Sequence, residues 1–443
     1  MTPRVDSVAA DIDLPARTSV VVVGAGIIGI STALFLARKG IPVVVCEKGH
    51  VGGEQSGQNW GWTRVMGRDE HEIPLGLESL RLWRQMDGLV QAETGFTPCG
   101  IAYLCETDAA VAGYEAWLAK ARPYQVDSRM IGPDEVQALY PGLARKVKGA
   151  LYTPTDGRAE PQKAAPAIAA AVRRAGGIVL QRCAVRGVET TAGRVSGVVT
   201  ERGPIACDSV VLAGGAWSRL FAGNIGIDLP QLKVLASVFR TEPLPGGPDT
   251  SVGGMPFAIR RRADGGYNVA RRNSAISEIT PDSFRLLPRF LPSLTKSWRE
   301  LRLRAGRQFV AEWNTPRRWR LDETSPFEQV RALDPVPDAG ILRNAEADLA
   351  SIFPAFRGMK IAGFWGGLMD VTPDAVPVIG PIDALPGFFF ATGFSGHGFG
   401  TGPGAGRLMA DIVAGDPPVV DPAPFRFARF TEGSFKQSER LKA

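Results

Sequence analysis

The stretch SVVVVGAGIIGISTALFLARKGIPVVVCEK, residues 19–48, decides how this 443-residue chain begins to fold. Its β-branched run Ser19–Val23 predicts a strand that is buried on both faces. Gly24, Gly26 and Gly29 follow in G-x-G-x-x-G spacing. This spacing allows a tight turn, lets backbone amides approach a pyrophosphate and lets the next helix lie close to the strand. The stretch therefore predicts a strand, a glycine turn and a helix.

The end of the same stretch supplies an acid where a ribose would need one. The helix is predicted over 27–38, with Gly40 as its stop, and a second buried strand follows at Val43–Cys46. Glu47 comes directly after this strand, where its carboxylate can accept hydrogen bonds from a ribose diol. The pattern predicts a dinucleotide site, and the alternative is a close-packed βαβ turn without a ligand.

The composition is that of an ordinary soluble protein with two or three domains. Hydrophobic residues make up 44% and charged residues 22%, and the net charge of +6 is too mild to suggest a nucleic-acid-binding protein. The five cysteines form no C-x-x-C pair or metal-ligand pattern, and their odd number favours a reducing compartment. No apolar run reaches the roughly 18 residues of a membrane span, and residues 1–17 lack the apolar core of a signal peptide. We therefore expect a cytoplasmic protein without a metal site.

Two further glycine-rich segments follow predicted buried strands. The segment SVVLAGGAWS (209–218) predicts a strand that ends at paired glycines, where a backbone could again approach a cofactor. Residues 387–392 predict another buried strand, 393–402 a glycine loop, and 403–414 a helix whose N-terminus favours negative charge at the loop. A nicotinamide dinucleotide would usually need one such turn, so three segments argue against a simple NAD site.

The order of these motifs resembles the FAD-dependent D-amino-acid oxidase, glycine oxidase and sarcosine oxidase superfamily over nearly the whole chain. The motifs after the first glycine turn are LAGGAW (212–217), TPD (372–374) and TGFSGHG (392–398). A closer likeness is to bacterial L-amino acid deaminases, through GEQS (53–56), CAVRGVETTAG (183–193), GGAWSRLF (214–221), WRLDETSPFEQVR (319–331) and FPAF (353–356). Those enzymes carry an amino-terminal membrane anchor, which we do not expect in this chain. They also lack SGHG (395–398), which is more similar to D-amino acid dehydrogenases and glycine oxidases.

The resemblance implies an α/β (α+β) fold with two discontinuous domains. The first is a Rossmann-like FAD-binding domain over 1–75, 150–228 and 325–443. The second is a substrate-binding domain over 76–149 and 229–324, built on a mixed or antiparallel sheet.

The resemblance also implies FAD as the cofactor. It assigns the adenosine ribose to Glu47, adenine to the strand around 183–185, and the flavin ring to the final glycine loop and helix. Sarcosine oxidases attach flavin through a cysteine where this chain has Gly367, so we expect the FAD to be non-covalent. The FAD-binding residues implied are Gly24, Ala25, Gly26, Ile28, Gly29, Glu47, Lys48, Gln55, Ser56, Val185, Gly214, Trp217, Gly366, Gly393, Ser395, Gly396, Gly398, Phe399 and Gly400.

The resemblance also implies an arginine that binds the substrate carboxylate, but this chain lacks that arginine in the motif where related enzymes have it. Glycine oxidases and D-amino acid dehydrogenases have it in G-L-R-P before TPD, whereas this chain has Met369 at that position. In the deaminase-like group the arginine comes from a strand of the substrate domain, and the matching position lies within 260–262. We predict Arg260, because it follows the apolar residues 257–259; the alternative is three solvated arginines before a turn.

Three further residues are candidates for the catalytic site. His397 is the best polar candidate at the flavin, and its alternative role is a loop histidine satisfied by the backbone. Trp62 and Phe394 are candidates to line the substrate pocket, and core packing is the alternative for each.

The resemblance implies oxidation of the C–N bond of an amino acid. Hydride would pass from the α-carbon to flavin N5, and the imine would hydrolyse to a 2-oxo acid and ammonia. The alternatives are a D-amino acid or secondary-amine dehydrogenase of the opine or proline type, and an FAD-binding subunit of a heteromeric dehydrogenase. Oxygen and a quinone both stay open as electron acceptors. The arginine-rich segment 284–320 predicts a solvated helical face, with peripheral contact at the inner membrane face as the alternative.

Overall fold

The computed structural model describes residues 3–254, 256–272, 274–297 and 301–433. The strands are β1 (Val20–Val23), β2 (Val43–Cys46), β3 (Trp62–Thr63), β4 (Ile101–Cys105), β5 (Arg129–Ile131), β6 (Gly149–Thr153), β7 (Gly157–Arg158), β8 (Ile178–Leu180), β9 (Val185–Thr191), β10 (Arg194–Thr200), β11 (Gly203–Ala206), β12 (Ser209–Leu212), β13 (Leu232–Thr241), β14 (Ser251–Gly253), β15 (Phe257–Arg261), β16 (Tyr267–Arg271), β17 (Ala275–Glu278), β18 (Leu301–Arg304), β19 (Ile361–Val371), β20 (Val378–Pro381) and β21 (Phe388–Thr392).

The helices alternate with these strands in the first part of the chain. They are α1 (Ile27–Arg38), α2 (Gln55–Gln58), α3 (Ile73–Val90), α4 (Asp108–Ala121), α5 (Pro133–Leu139), α6 (Pro161–Arg174), α7 (Ser218–Asn224), α8 (Pro281–Arg285), α9 (Leu287–Ser297), α10 (Arg307–Asn314), α11 (Pro326–Gln329), α12 (Ala339–Ile352) and α13 (Gly398–Ala414).

A sheet of six described strands carries the glycine turn. Its order is β20-β21-β12-β1-β2-β8, and its neighbours pair in parallel except β20 and β21. The central strands β1 and β2 are buried along their whole length, because α1, α6 and α13 cover one face and the small sheet β9–β11 lies on the other side. This arrangement confirms the predicted α/β fold and places the carboxyl ends of β1, β2 and β12 at one edge.

A second, mixed sheet of ten described strands is built around the long strand β13. It runs β18-β17-β13-β16-β15-β14-β4-β6-β5, and β19 also pairs with β13 in antiparallel register from Leu232–Val371 onward. The predicted domain boundaries differ from this pairing at three places. β6, which lies almost wholly in the predicted FAD-binding segment 150–228, pairs with β4 and β5 of the second sheet. β19 and α12, from the segment 325–443, join the second sheet, while α3, which extends past residue 75, packs on α13 of the first. The division into domains stays a prediction.

The arginine-rich segment projects apolar side chains into solvent. Of the part that is described, Phe284 on α8 is 63% exposed and Trp313 on α10 is 67% exposed. Residues 298–300 of this segment lie outside the described ranges. In the described ranges, no helix is long and apolar enough to cross a membrane. Peripheral membrane contact stays a prediction.

Candidate active site

An elongated cavity of ≈ 420 Å³ extends from the first glycine turn to the second sheet. At one end it is lined by Gly24 and Glu47, at the carboxyl edge of the parallel strands. At the other end it is lined by residues 236–238 of β13 and 367–370 of β19. A volume of this size is typical of ligand sites, and both sheets contribute to its walls.

The first glycine turn is closed by contacts that only glycine permits. Gly24 has φ of +104°, and a Cβ there would lie 2.6 Å from the carbonyl oxygen of Ala213. A Cβ on Gly29 would lie 2.0 Å from the carbonyl oxygen of Gly24, so α1 could not approach the turn with any other residue. The glycine pattern therefore brings the N-terminus of α1 to the cavity, where backbone N–H groups favour a phosphate.

Glu47 lies at the end of β2 and faces the same turn. Its Oε2 accepts a hydrogen bond from Ala25 N at 2.8 Å, and its Oε1 accepts one from Gly49 N at 2.7 Å. Burial raises the pKa of Glu47, although these two backbone donors oppose the shift. Each carboxylate oxygen has a second lone pair, so Glu47 can still accept hydrogen bonds from a ribose.

Side-chain hydrogen bonds and an ion pair hold the segment after β2 against the cavity. Ser56 Oγ accepts from Ile27 N at 2.8 Å, at the first turn of α1. The Lys48 ammonium lies 2.6 Å from Glu54 Oε1 and 4.6 Å from the centre of the Trp217 ring. These contacts join the β2 and β12 loops beside the nucleotide end of the cavity.

The last glycine loop is held in place by Asp370 of β19. Gly393 N donates to Asp370 Oδ2 at 2.7 Å, and Ser395 N donates to the Asp370 carbonyl oxygen at 2.9 Å. A Cβ on Gly396 would lie 3.0 Å from Met369 Sδ, so the loop passes close to the strand of the second sheet. Met369, where related enzymes have an arginine, thus packs against the loop that the sequence assigns to the flavin.

The helix after this loop starts five residues earlier than predicted, at Gly398 instead of Pro403. The carbonyl oxygen of Gly400 accepts from Ser79 Oγ at 2.7 Å and from Trp83 Nε1 at 2.9 Å, both on α3. Ser79 and Trp83 thus satisfy a carbonyl oxygen in the first turn of α13, and Ser79 Oγ also accepts from Gly404 N at 3.2 Å. The N-terminus of α13 therefore faces the cavity, with His397 as the N-cap residue.

His397 lies between the cavity and a buried acid. Its Nδ1 is 3.7 Å from Oε1 of Glu72, whose side chain is fully buried. His397 and the predicted pocket residues Trp62 and Phe394 all line the cavity. Their catalytic roles stay predictions.

Arg260 does not lie where the prediction needs it. It is only 1% exposed and does not line the cavity. Its Nη1 and Nη2 lie 2.6 and 3.2 Å from the two carboxylate oxygens of Glu160, and its Nε donates to the carbonyl oxygen of Trp60 at 2.5 Å. The charge of Arg260 is already matched inside the protein by Glu160, so this geometry does not support Arg260 as the carboxylate ligand, and that assignment stays a prediction.

Arg272, just after β16, is a buried arginine that does line the cavity. It lines the cavity, is 5% exposed, and has a buried Nη2 without a hydrogen-bond partner in the described part of the chain. Its guanidinium carbon lies 4.2 Å from the centre of the Tyr103 ring. The sequence analysis did not single out Arg272, although RRNS follows the buried segment 267–270 just as RRR follows the buried segment 257–259.

Most residues predicted to bind the cofactor line the cavity, and four do not. Those that line it are Gly24, Gly26, Ile28, Glu47, Lys48, Gln55, Ser56, Val185, Gly214, Trp217, Ser395, Gly396, Gly398, Phe399 and Gly400. Ala25, Gly29, Gly366 and Gly393 lie outside the lining, where Gly29 and Gly393 shape the turns and Ala25 N is bonded to Glu47. The lining fits FAD, because it offers the N-terminus of α1 and an acid at one end and a glycine loop with the N-terminus of α13 at the other.

Comparisons with known proteins agree with this geometry. The family model described as DAO, FAD dependent oxidoreductase, matches residues 19–412. The structure is similar to that of L-amino acid deaminase from Proteus myxofaciens in complex with anthranilate, with a TM-score of 0.91 and 34% identity, covering 97% of this chain and 96% of that one. The sequence is 28% identical to glycine oxidase from Pseudomonas putida, over 92% of this chain and 97% of that protein. It is 27% identical to sarcosine oxidase subunit beta from Rhodobacter capsulatus, over 95% and 90% of the two chains.

Proposed function

The chain belongs to the DAO family of FAD-dependent oxidoreductases, and we propose that it oxidises the C–N bond of an L-amino acid to an imine, which hydrolyses to a 2-oxo acid and ammonia. The family and the relatives confirm the predictions of an enzyme, of FAD, and of amino acids or amines as substrates. The L-amino acid is the proposed part. It is supported by the likeness to the deaminase from Proteus myxofaciens and by the cationic end of the cavity.

The observation that carries the proposal is that the buried guanidinium of Arg272 has no acidic partner among the described residues. Among the described residues it forms no ion pair, and its Nη2 is buried without a partner. A buried charge without a counter-ion costs several kcal/mol, and an amino acid carboxylate would supply two oxygens in the geometry a guanidinium prefers. Arg272 thus supports binding of a substrate that carries a carboxylate next to its amine.

The remaining side chains of this end position the substrate and exclude water. The Tyr103 ring supports the Arg272 guanidinium from one face, and the rings of Trp62 and Tyr103 lie 6.0 Å apart in the same wall. Bound FAD supplies the two-electron acceptor for the substrate. The N-terminus of α13 stabilises negative charge at this end of the cavity, and no side-chain base is required if the amine binds in its neutral form.

A secondary amine is the second candidate substrate. The likeness to sarcosine oxidase subunit beta favours it and also raises the prospect of a heteromeric assembly. A D-amino acid uses the same carboxylate contact with the opposite face of the α-carbon presented to the cofactor. The three substrate types therefore differ in the amine and in stereochemistry, and a panel of substrates distinguishes them.

The test is anaerobic flavin reduction by paired L-, D- and N-methyl amino acids. We expect an L-amino acid to bleach the flavin of the purified holoenzyme. Arg272→Gln should raise the half-saturating concentration about 100-fold, since losing one partner of a buried charge pair costs roughly 2–5 kcal/mol. Arg261→Gln is the matched control, because Arg261 ends the neighbouring strand β15 and pairs with Asp249 at the surface.

Two results would contradict the proposal. Bleaching by D-amino acids or N-methyl amino acids alone would replace the L-amino acid with one of the other substrates. A half-saturating concentration that stays unchanged in Arg272→Gln would remove Arg272 from the carboxylate site.

A further inference from the structure

We propose that the cavity binds a second acidic group of the substrate, so that the preferred substrates are dicarboxylic L-amino acids. This inference rests on the proposed function and names the substrate class of the same site. The second acidic group would pair with Arg64, which follows β3 and lines the cavity together with Arg272.

Arg64 is a cation in the cavity wall without an acidic partner. Its Nη1 donates to the carbonyl oxygen of Met66, two residues away, and it forms no ion pair with any residue of the described ranges. Arg68 Nε donates to the Arg64 carbonyl oxygen at 3.1 Å, which fixes the backbone at this position. The guanidinium of Arg64 is therefore positioned by the protein but its charge is left for a ligand.

Arg64 and Arg272 share one aromatic support. The guanidinium carbon of Arg64 lies 5.7 Å from the centre of the Tyr103 ring, and that of Arg272 lies 4.2 Å from it. The two carbons are thus within about 10 Å of each other. A short chain with a carboxylate at each end can bridge such a pair, because each guanidinium holds its carboxylate through direct N–H···O hydrogen bonds.

The neighbouring acids do not cancel these two charges. Glu54, which also lines the cavity, is paired with Lys48 at the nucleotide end. Arg271 also lines the cavity but pairs with Asp348 at 2.9 Å, so it is not a third candidate. Arg64 and Arg272 therefore remain beside Tyr103 without an ion-pair partner among the described residues.

Asp156 lies behind the loop that carries Arg64, outside the cavity lining. Its two carboxylate oxygens accept from Val65 N at 2.7 Å and Met66 N at 3.2 Å. Burial raises the pKa of Asp156 to about 7, against the effect of these backbone donors and of Arg64 and Arg68. Asp156 thus holds the loop backbone and forms no ion pair with the Arg64 guanidinium in the described structure.

The first test measures binding without turnover. Glutarate and its monoamide glutaramate have the same length and differ in the charge of one end. We expect glutarate to perturb the flavin absorbance of the wild-type holoenzyme with a dissociation constant at least 10-fold lower than that of glutaramate. Arg64→Gln should abolish this difference, Arg64→Lys should keep part of it, and Arg81→Gln on the exposed face of α3 should leave it unchanged.

Two binding results would overturn the inference. One is equal affinity of the wild-type holoenzyme for glutarate and glutaramate. The other is an equal loss of affinity for both ligands in Arg64→Gln, because the two guanidiniums would then hold a single carboxylate between them. The wild-type comparison decides the question even where a variant fails to fold.

The second test uses the reaction. We expect L-glutamate or L-aspartate to reduce the flavin anaerobically at least 10-fold more efficiently than L-glutamine or L-asparagine. Equal efficiency of acids and amides would overturn this inference and leave the proposed function standing. Reduction by no amino acid in the panel would overturn the proposed function and this inference with it.

Discussion

Arg260 is buried, and its positive charge is paired with the carboxylate of Glu160. The two side chains make a two-point contact, and Arg260 Nε also donates to the Trp60 carbonyl oxygen. Burial lowers the pKa of Arg260, and the neighbouring Glu160 carboxylate opposes that shift. Because Glu160 precedes α6 of the first sheet and Arg260 lies on β15 of the second, this ion pair joins the two sheets.

Removing one partner of this pair should destabilise the protein more than removing both. Arg260→Met leaves the Glu160 carboxylate buried and unpaired, so we expect the free energy of unfolding to fall by about 3–5 kcal/mol. The double variant Arg260→Met/Glu160→Met should recover most of this loss. Urea denaturation of the holoenzymes measures both values. If the double variant is as unstable as the single one, the pair itself is the stabilising contact.

The comparison of Arg260 with Arg272 shows what the sequence could not predict, namely which buried arginine has an acidic partner inside the protein. Both residues follow a buried strand segment, and Arg260 was predicted as the carboxylate ligand because the residues directly before it are apolar. Whether a buried guanidinium is free for a ligand depends on its counter-ion, and Glu160 is 100 residues away in the chain. Spacing along one strand cannot show a partner that arrives from another part of the fold.

At the level of elements, a charged cluster joins α7 to α8. Arg219 Nε lies 2.9 Å from Asp282 Oδ2, and Arg317 Nη1 lies 3.0 Å from Asp282 Oδ1. Burial raises the pKa of Asp282, but the hydrogen bonds and charges of the two arginines outweigh it and bring the pKa from 3.8 to about 2. The folded state therefore favours the ionised form of Asp282 more than the unfolded chain does.

This cluster gives a dependence of stability on pH with a defined sign. A carboxyl group whose pKa is depressed on folding stabilises the protein above its unfolded pKa and loses that contribution as the pH falls through the folded value. Ionisation of Asp282 should thus add about 2 kcal/mol to the free energy of unfolding at pH 7. This contribution is lost as the pH falls from about 4 to about 2.

Asp282→Asn tests this contribution. We expect its free energy of unfolding to lie about 2 kcal/mol below that of the wild type at pH 7, and the gap to narrow as the pH falls below about 4. Urea denaturation at pH 7, 5, 4 and 3 measures the gap. Asp322→Asn, at an exposed ion pair with Arg320, is the matched control and should change little at any pH. A gap that stays constant with pH would show that ionisation of Asp282 is not its source.

Elements with a strong local pattern were predicted well, and elements that depend on neighbours were not. The first strand, glycine turn and helix are fixed by residues within 19–48, and α1 spans the predicted 27–38. The last helix was predicted over 403–414. It begins at Gly398, since Ser79 and Trp83 of α3 provide hydrogen-bond donors that the local sequence does not reveal.

At the level of the whole molecule, the cavity is a joint product of both sheets. Its nucleotide end is built from short-range motifs, and these were recognisable in the sequence. Its cationic end combines Arg64, Tyr103 and Arg272, which lie on three separate stretches of the chain. The sequence could therefore predict the cofactor class, whereas the residues that we propose to contact the substrate are brought together only by the tertiary arrangement.

Because both sheets line the cofactor cavity, FAD should stabilise the whole molecule without a covalent bond. Gly367, which lines the cavity where sarcosine oxidases carry the flavin-linking cysteine, offers no side chain for attachment. Acid precipitation should therefore leave a colourless pellet and a yellow supernatant. A yellow pellet would mean that another residue of the chain holds the flavin covalently.

The cavity also predicts how the thermal stability of the protein depends on the concentration of FAD. A ligand that binds only the folded state adds RT ln(1 + [L]/Kd), or about 2.7 kcal/mol at 100 times Kd. The Tm of the apoprotein should accordingly rise with added FAD and continue to rise with its logarithm above Kd. Differential scanning calorimetry across a series of FAD concentrations measures this, with the same series of riboflavin as the control for the contribution of the nucleotide end. If riboflavin raises the Tm as much as FAD does at equal concentrations, the two Kd values are equal, and Glu47 and the first glycine turn contribute nothing to cofactor affinity, contrary to the geometry of that turn.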